Sequence, residues 1–127
     1  YGSAVRTIHT DKPREVLTDS WMGTSFGRWE GDTLVVDVVG LNDQTWFDRS
    51  GNFHSDALHV VERYRLIDAN TLGYGATIED PMTFTRPWKI SMPLYRRREP
   101  GAQLLEFKCV ELAEEMMYGD LRRNVAP

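Results

Sequence analysis

Glu62 is the first residue in this sequence whose type and placement invite chemistry. It sits in a stretch where Leu58, Val60, Tyr64 and Leu66 alternate with His59, Val61, Arg63, Arg65 and Ile67. Period-two patterning of this kind marks a strand with one buried face, and it puts Glu62 on the same side as the leucines. A carboxylate held there costs several kcal/mol unless it is paired or protonated. Two readings follow. In one, Glu62 lines a cavity as a general acid/base or a ligand anchor, its pKa raised by desolvation. In the other, it meets an inward arginine or a tyrosine hydroxyl, or lies at a wet end of the sheet, and has a structural role.

The run Leu41 to Asp56 is long for a connection without regular structure, and loops of that kind are more often functional than average. It mixes the aromatic residues Trp46, Phe47 and Phe53 with Asn42, Asp43, Asp48, His54 and Asp56. A lid over a pocket needs both kinds. On that reading His54 and Asp56 join Glu62 as catalytic candidates, while Trp46, Asn42 and Asp48 contact a ligand together with Tyr74. The competing reading is that Trp46 and Phe47 pin the loop to the rim of the fold. His54, Asp56, His59 and Glu62 match no zinc-ligand spacing, and His59 points away from Glu62 if the strand begins near Leu58, so no metal is expected. Ser25 and Ser55 lack the turn that exposes a nucleophilic serine. There is no phosphate loop or dinucleotide fingerprint, and no cofactor is expected. Cys109 is the only cysteine. It can form neither an intrachain disulfide nor a cysteine-based metal site, and reads as a small core hydrophobe.

The elements that must position these residues are strands. Thr24 to Val39 contains Gly31-Asp32 between two alternating runs, which fits a two-residue hairpin turn with glycine at the first, positive-φ position. That turn pairs Glu30 with Thr33, Trp29 with Leu34 and Gly27 with Val36. One face then carries Trp29, Leu34, Val36 and Val38, the other Phe26, Arg28, Val35 and Asp37. Arg28 and Asp37 become diagonal neighbours able to form an ion pair. A second hairpin runs from Leu58 to Ile67 and from Thr71 to Ile78 through the polar turn Asp68-Ala69-Asn70, with Gly73 and Gly75 signalling a bend, a bulge or close packing. Trp88 to Tyr95 is a further strand, at an edge or bulged at Pro93, which lacks a ladder donor. Ala4 to His9 and Leu104 to Val110 complete about seven strands, and Glu111 to Arg123, with Leu112, Met116 and Met117, reads as a short C-terminal helix. The predicted fold is mainly β: an antiparallel meander curled into a calycin-like barrel or half-barrel that forms one domain over 1–127.

Bulk properties agree with a globular chain. The sequence has 127 residues, 41% of them hydrophobic, enough for a core without a metal or disulfide staple. Net charge is −4, and the basic residues are scattered apart from Arg96-Arg97-Arg98 and Arg122-Arg123. A nucleic-acid binder needs a concentrated basic stripe, so that class is set aside. No apolar run approaches the roughly 18 residues of a membrane helix.

Trp21-Met22-Gly23, the run Gly27-Arg28-Trp29-Glu30-Gly31-Asp32-Thr33-Leu34-Val35-Val36-Asp37, and Asn42, Trp46, Asp48, His54-Ser55, Glu62-Arg63, Asp80-Pro81 and Pro87-Trp88 form a pattern. It resembles a broad family of uncharacterised, often exported proteins of soil and other environmental bacteria. The resemblance runs from Ile8 to Glu111 and brings no activity with it. Members often carry histidine where this chain has Thr24, which weakens any scheme needing a histidine there. They also tend to extend further at the N-terminus, so the chain matches the C-terminal part of the family architecture. The resemblance implies a bacterial protein, exported or periplasmic, or else cytoplasmic. The functional expectation is a small molecule bound inside a curved sheet with Glu62 central, with general acid/base catalysis as its enzymatic form. The alternative is a non-catalytic interaction or self-assembly module, for instance a homodimer joined through a sheet face or edge.

Overall fold

A computed structural model of the chain describes residues 5–11, 15–48 and 50–102. The chain divides into two compact units, Arg6–Pro100 and a second formed by Tyr1–Val5 with Gly101–Pro127. The first unit carries six strands in one sheet: β1 (Ile8–His9), β2 (Thr24–Glu30), β3 (Thr33–Val39), β4 (His59–Asp68), β5 (Thr71–Glu79) and β6 (Trp88–Tyr95). Their order across the sheet is their order in the sequence. Strands β2 to β6 form the expected antiparallel meander.

Both hairpins form as their turn residues require. Gly31 has φ of 63°, and the β2–β3 register pairs Glu30 with Thr33, Trp29 with Leu34 and Gly27 with Val36. The β4–β5 hairpin pairs Tyr64 with Tyr74 and Glu62 with Ala76, with an irregularity between Leu66 and Asp68 before the turn. There the Asp68 carboxylate accepts the Asn70 N–H at 2.8 Å, a short-range cap typical of turn aspartates.

Three expectations are corrected. Of the expected barrel or half-barrel, the closed form is excluded: the sheet is open, because its edge strands β1 and β6 do not pair. Closure needs two long complementary edges, but β1 has only two residues and β6 contains Pro93. Of the strand expected over Ala4 to His9, the described residues place Ile8–His9 in a strand and Val5, Arg6 and Thr7 outside it. This strand pairs with β2 in parallel rather than antiparallel. The strand expected over Leu104 to Val110 and the helix expected over Glu111 to Arg123 lie outside the described residues.

Alternation gives the sheet two unlike faces. The apolar face has three registered rows: Ser25–Val38–Val60–Ile78–Trp88, then Gly27–Val36–Glu62–Ala76–Ile90, then Trp29–Leu34–Tyr64–Tyr74–Met92. Its core lies toward the first row, where buried Leu58, Ala76 and Ile78 pack with Leu41, Phe47, Val60, Phe84 and Trp88. Trp29 and Leu66, at the opposite end, are exposed. The charged face carries Arg28, Glu30, Asp37, His59, Arg63, Arg65 and Glu79.

β1 reaches the apolar face because Gly27 has no side chain. A Cβ at Gly27 would lie 2.6 Å from the Ile8 Cγ2 and 3.5 Å from the Leu34 Cδ1. Ile8 therefore leans over β2, and the chain before it is led across the sheet toward β4.

Candidate functional site

Glu62 is buried on the apolar face, with 7% of its surface exposed. Its registered neighbours, Val36 and Ala76, are small or aliphatic and offer it nothing polar. The partners come from elsewhere. Arg6, 56 residues earlier, donates its guanidinium to Oε2. Tyr74, diagonally across on β5, donates its hydroxyl to Oε1 at 2.9 Å. The same Arg6 nitrogen donates to the Tyr64 hydroxyl at 3.2 Å. The Tyr64 and Tyr74 rings are tilted at 47° with centroids 5.1 Å apart, the spacing of a favourable aromatic pair.

These four residues are electrostatically linked. Burial alone would lower the Arg6 guanidinium, but the hydrogen bond and charge of Glu62 outweigh it and leave the group raised. Burial pushes the Tyr74 hydroxyl well above the ordinary phenol value, and its bond to the Glu62 carboxylate adds to the rise. Tyr64 is raised too, by burial first and by the Glu62 charge second. The cluster is therefore one carboxylate compensated by one guanidinium, with two neutral phenols beside it.

Tyr64 also faces outward. With Ile8, Trp29, Asp32, Leu34, Leu66 and Leu72 it lines a trough of about 450 Å³ at the Gly31 end of the apolar face. Its size falls within the range of small-molecule sites, roughly 300–1,000 Å³. Its walls are almost wholly apolar, and the one acidic lining residue, Asp32, is paired with Arg65 at 3.1 Å. A second cavity, of about 230 Å³, lies between β1, β2 and the 15–18 segment, lined by His9, Glu15, Thr24 and Phe26 among others.

The remaining sequence candidates fall into place around a different centre. His54 is buried, 4% exposed. One ring nitrogen, Nε2, lies 2.9 Å from the Thr45 hydroxyl, and the other, Nδ1, lies 3.0 Å from the Ser55 carbonyl. The carbonyl can only accept, so Nδ1 carries a proton. Asp56 is exposed. Neither residue is among the hydrogen-bond partners of Glu62. Trp46 is 74% exposed and forms an isolated bridge with Phe53, itself exposed, in a small excursion of the loop. Asp48 turns that excursion by accepting the Ser50 N–H at 2.8 Å and the Asn52 side-chain amide at 2.7 Å. These Asn52 and backbone bonds, the amide foremost, hold its carboxyl below the usual range. Asn42 caps a neighbouring turn through Gln44 and donates its backbone N–H to the Ser20 carbonyl at 2.9 Å. Phe47, rather than Trp46, pins the loop. Its ring meets Trp88 edge-on at 5.3 Å and Phe84 at 6.4 Å.

Of the site candidates, then, Glu62 and Tyr74 are in direct contact, and His54, Asp56, Trp46, Asn42 and Asp48 are not among their hydrogen-bond partners. Sequence reasoning missed three contributors. Arg6 lies in the stretch Ala4 to His9, which reads only as a short strand, and nothing in that reading points to Glu62. Tyr64 was assigned to the inward face without a function. Asp80, buried at the end of β5, accepts both the Ser55 backbone N–H and its hydroxyl at 2.7 Å, and the Met82 N–H at 3.1 Å. Burial would raise its carboxyl, but the Ser55 and Met82 donors prevail and hold it below the usual value. The hydroxyl of Ser55 also accepts the Ala57 N–H at 3.1 Å, so this serine–aspartate pair ties the loop to the start of β4. The signal was available in Asp80-Pro81, an aspartate placed to cap a turn.

On the charged face, Arg28 pairs with Asp37 as the hairpin register required. The chain of contacts goes further: Arg63 to Glu30 at 2.9 Å, Glu30 to Arg28 at 3.0 Å, then Asp37 to His59 at 3.1 Å and His59 to Glu79 at 3.8 Å. Among the described residues, no group of three or more His, Cys, Asp or Glu side chains is arranged to hold a metal ion.

Compared with known protein families, curated proteins and solved structures, the chain matches none at a significant level.

Proposed function

We propose that the chain binds a small, largely apolar molecule in the trough on the apolar face, with the Glu62 cluster forming its polar end. A calycin-like curl of the sheet would deepen that trough around its occupant. The observation that carries the reading is Tyr64, which is shared between the trough wall and the cluster, so that a ligand lying on Leu34 and Leu72 has a polar group within reach. Mostly apolar walls with a few convergent polar atoms are the usual composition of a ligand site. The engagement of both Glu62 oxygens and both His54 nitrogens favours binding over proton transfer. General acid/base work by Glu62 would require Arg6 to leave first.

A neutral fluorescent probe, N-phenylnaphthylamine, tests this directly. Leu66→Lys, at an exposed lining position, is expected to weaken probe binding about tenfold while far-UV circular dichroism stays unchanged, since a lysine ammonium is poorly tolerated against apolar walls. Equal affinity of the variant and the parent would remove the trough as the site.

A second reading rests on the exposure of Trp29, Leu66 and Tyr95. Apolar surface gathered at one end of a sheet also suits self-association into a homodimer. Sedimentation at micromolar concentration separates the two: a dimer dispersed by Trp29→Lys supports assembly, and a monomer that takes up the probe supports ligand binding.

A further inference from the structure

We propose that the Glu62 pocket is a head-group site for an organic cation, an amine or guanidinium bearing an apolar tail, and that Arg6 fills it in cis. This rests on the trough reading above and names the class of molecule that the trough takes.

The argument starts from where the positive charge comes from. The sheet buries Glu62 between Val36 and Ala76 and supplies no cation of its own on that row. Compensation comes from Arg6, which precedes the two-residue strand β1, and among the described residues its neighbouring backbone joins the sheet through Ile8 and His9. The carboxylate and its acceptor geometry are thus built into the middle of the sheet, whereas the cation arrives on a short strap at its edge.

The surroundings are also those of a cation receptor. Two tyrosine rings stand beside the carboxylate, the Tyr74 hydroxyl holds one carboxylate oxygen in place, and the Tyr64 oxygen accepts from the bound guanidinium. A buried carboxylate with a phenol oxygen beside it that accepts from the same cation favours a positive head group over a neutral or negative one. The trough that opens beyond Tyr64 offers Trp29, Leu34 and Leu72 to an apolar tail, and its lining contains no basic residue. Charge complementarity therefore selects an amphiphilic cation.

Exchange between Arg6 and such a ligand keeps the charge at Glu62 constant. The carboxylate never stands unpaired in the interior, which is the costly state. What the ligand must overcome is Arg6 itself, so its apparent affinity is reduced by the fraction of molecules in which the strap is closed. Arg6 acts in this scheme as a resident competitor.

Phenylbutylamine and phenylbutanol, matched in tail and differing in head-group charge, provide the test by calorimetry at constant ionic strength. The quantity read is the ratio of amine to alcohol affinity. Arg6→Ala is expected to raise this ratio about tenfold or more over the parent, by freeing the competed position. Glu62→Gln added to Arg6→Ala is expected to return it close to the parent value. Alcohol and amine that both bind, with a ratio unmoved by Arg6→Ala, would overturn the cation assignment and leave the trough standing. No binding of either compound to any of the proteins would take the trough reading down with it. Should Arg6→Ala melt too low for calorimetry, Arg6→Lys keeps the charge without the forked donor. The ratio must then rise about threefold, a partial release of the same competition, and a flat ratio overturns the proposal.

Discussion

On one face of the sheet a single carboxylate, Glu62, is paired under cover by Arg6. On the other, Arg63, Glu30, Arg28, Asp37, His59 and Glu79 form an open chain of charges across four strands. The chemistry of the contacts is the same, guanidinium or imidazole against carboxylate, and water decides what each is worth. Exposed pairs exchange one well-solvated arrangement for another and contribute little. A pair inside the apolar face stands or falls as a unit, because losing one partner strands the other without solvent.

The largest expected effect breaks the covered pair. Arg6→Ala should destabilise the fold by about 3 kcal/mol, the cost of an uncompensated buried charge. Removing both charges in Arg6→Leu/Glu62→Leu should recover most of that loss, since apolar replacement of a buried pair is often neutral or better. Urea denaturation of the single and double variants measures both. A double variant no more stable than Arg6→Ala would show that the pair is not the source of the loss.

Asp80 sharpens the comparison, for it is a buried carboxylate satisfied by neutral donors instead of a cation. Asp80→Asn should cost about 2 kcal/mol at neutral pH, in line with lost hydrogen bonds to a charged acceptor. Its folded pKa lies below the ordinary value. The stabilisation is therefore fully present above the unfolded value of about 3.9 and is lost as pH falls through the lower folded one. The stability gap between parent and variant, followed by thermal melting against pH, should close in acid. A gap independent of pH would point to packing rather than charge.

The smallest effect lies on the charged face. Arg28→Ala should barely move the melting temperature, and what shift there is should vanish in molar salt, where exposed charges are screened. A large, salt-insensitive loss would mean that Arg28 acts by covering Val35, its registered neighbour, with its aliphatic stem.

Legibility followed sequence distance. The β2–β3 hairpin was readable residue by residue, because Gly31 marks the turn and a two-residue loop sets the register of everything beside it. The Arg28–Asp37 pair came with it. Glu30–Arg63, Asp32–Arg65 and Asp37–His59 depend on how β3 meets β4 across a long loop, and no local signal sets that register. Glu62 was recognisable as inward from alternation alone, yet its partner was not. Arg6 stands in the short stretch Ala4 to His9, readable as a strand but not as a parallel one, and it reaches Glu62 through a parallel pairing that two residues suffice to make. The loop from Leu41 to Asp56 was not readable in detail. His54 bonds Thr45 and Ser55 rather than Glu62. Phe47 anchors the loop while Trp46 faces solvent, a difference of one position that composition cannot resolve.

The bare backbone at Gly27 has a reach well beyond its own strand. A single methyl there would collide with Ile8, and shifting Ile8 would drag the guanidinium two positions upstream off its carboxylate. What begins as a steric fault on the second strand would thus be felt as an electrostatic one on the fourth. Hydrogen in place of carbon at that one position decides whether the middle of the sheet is neutral.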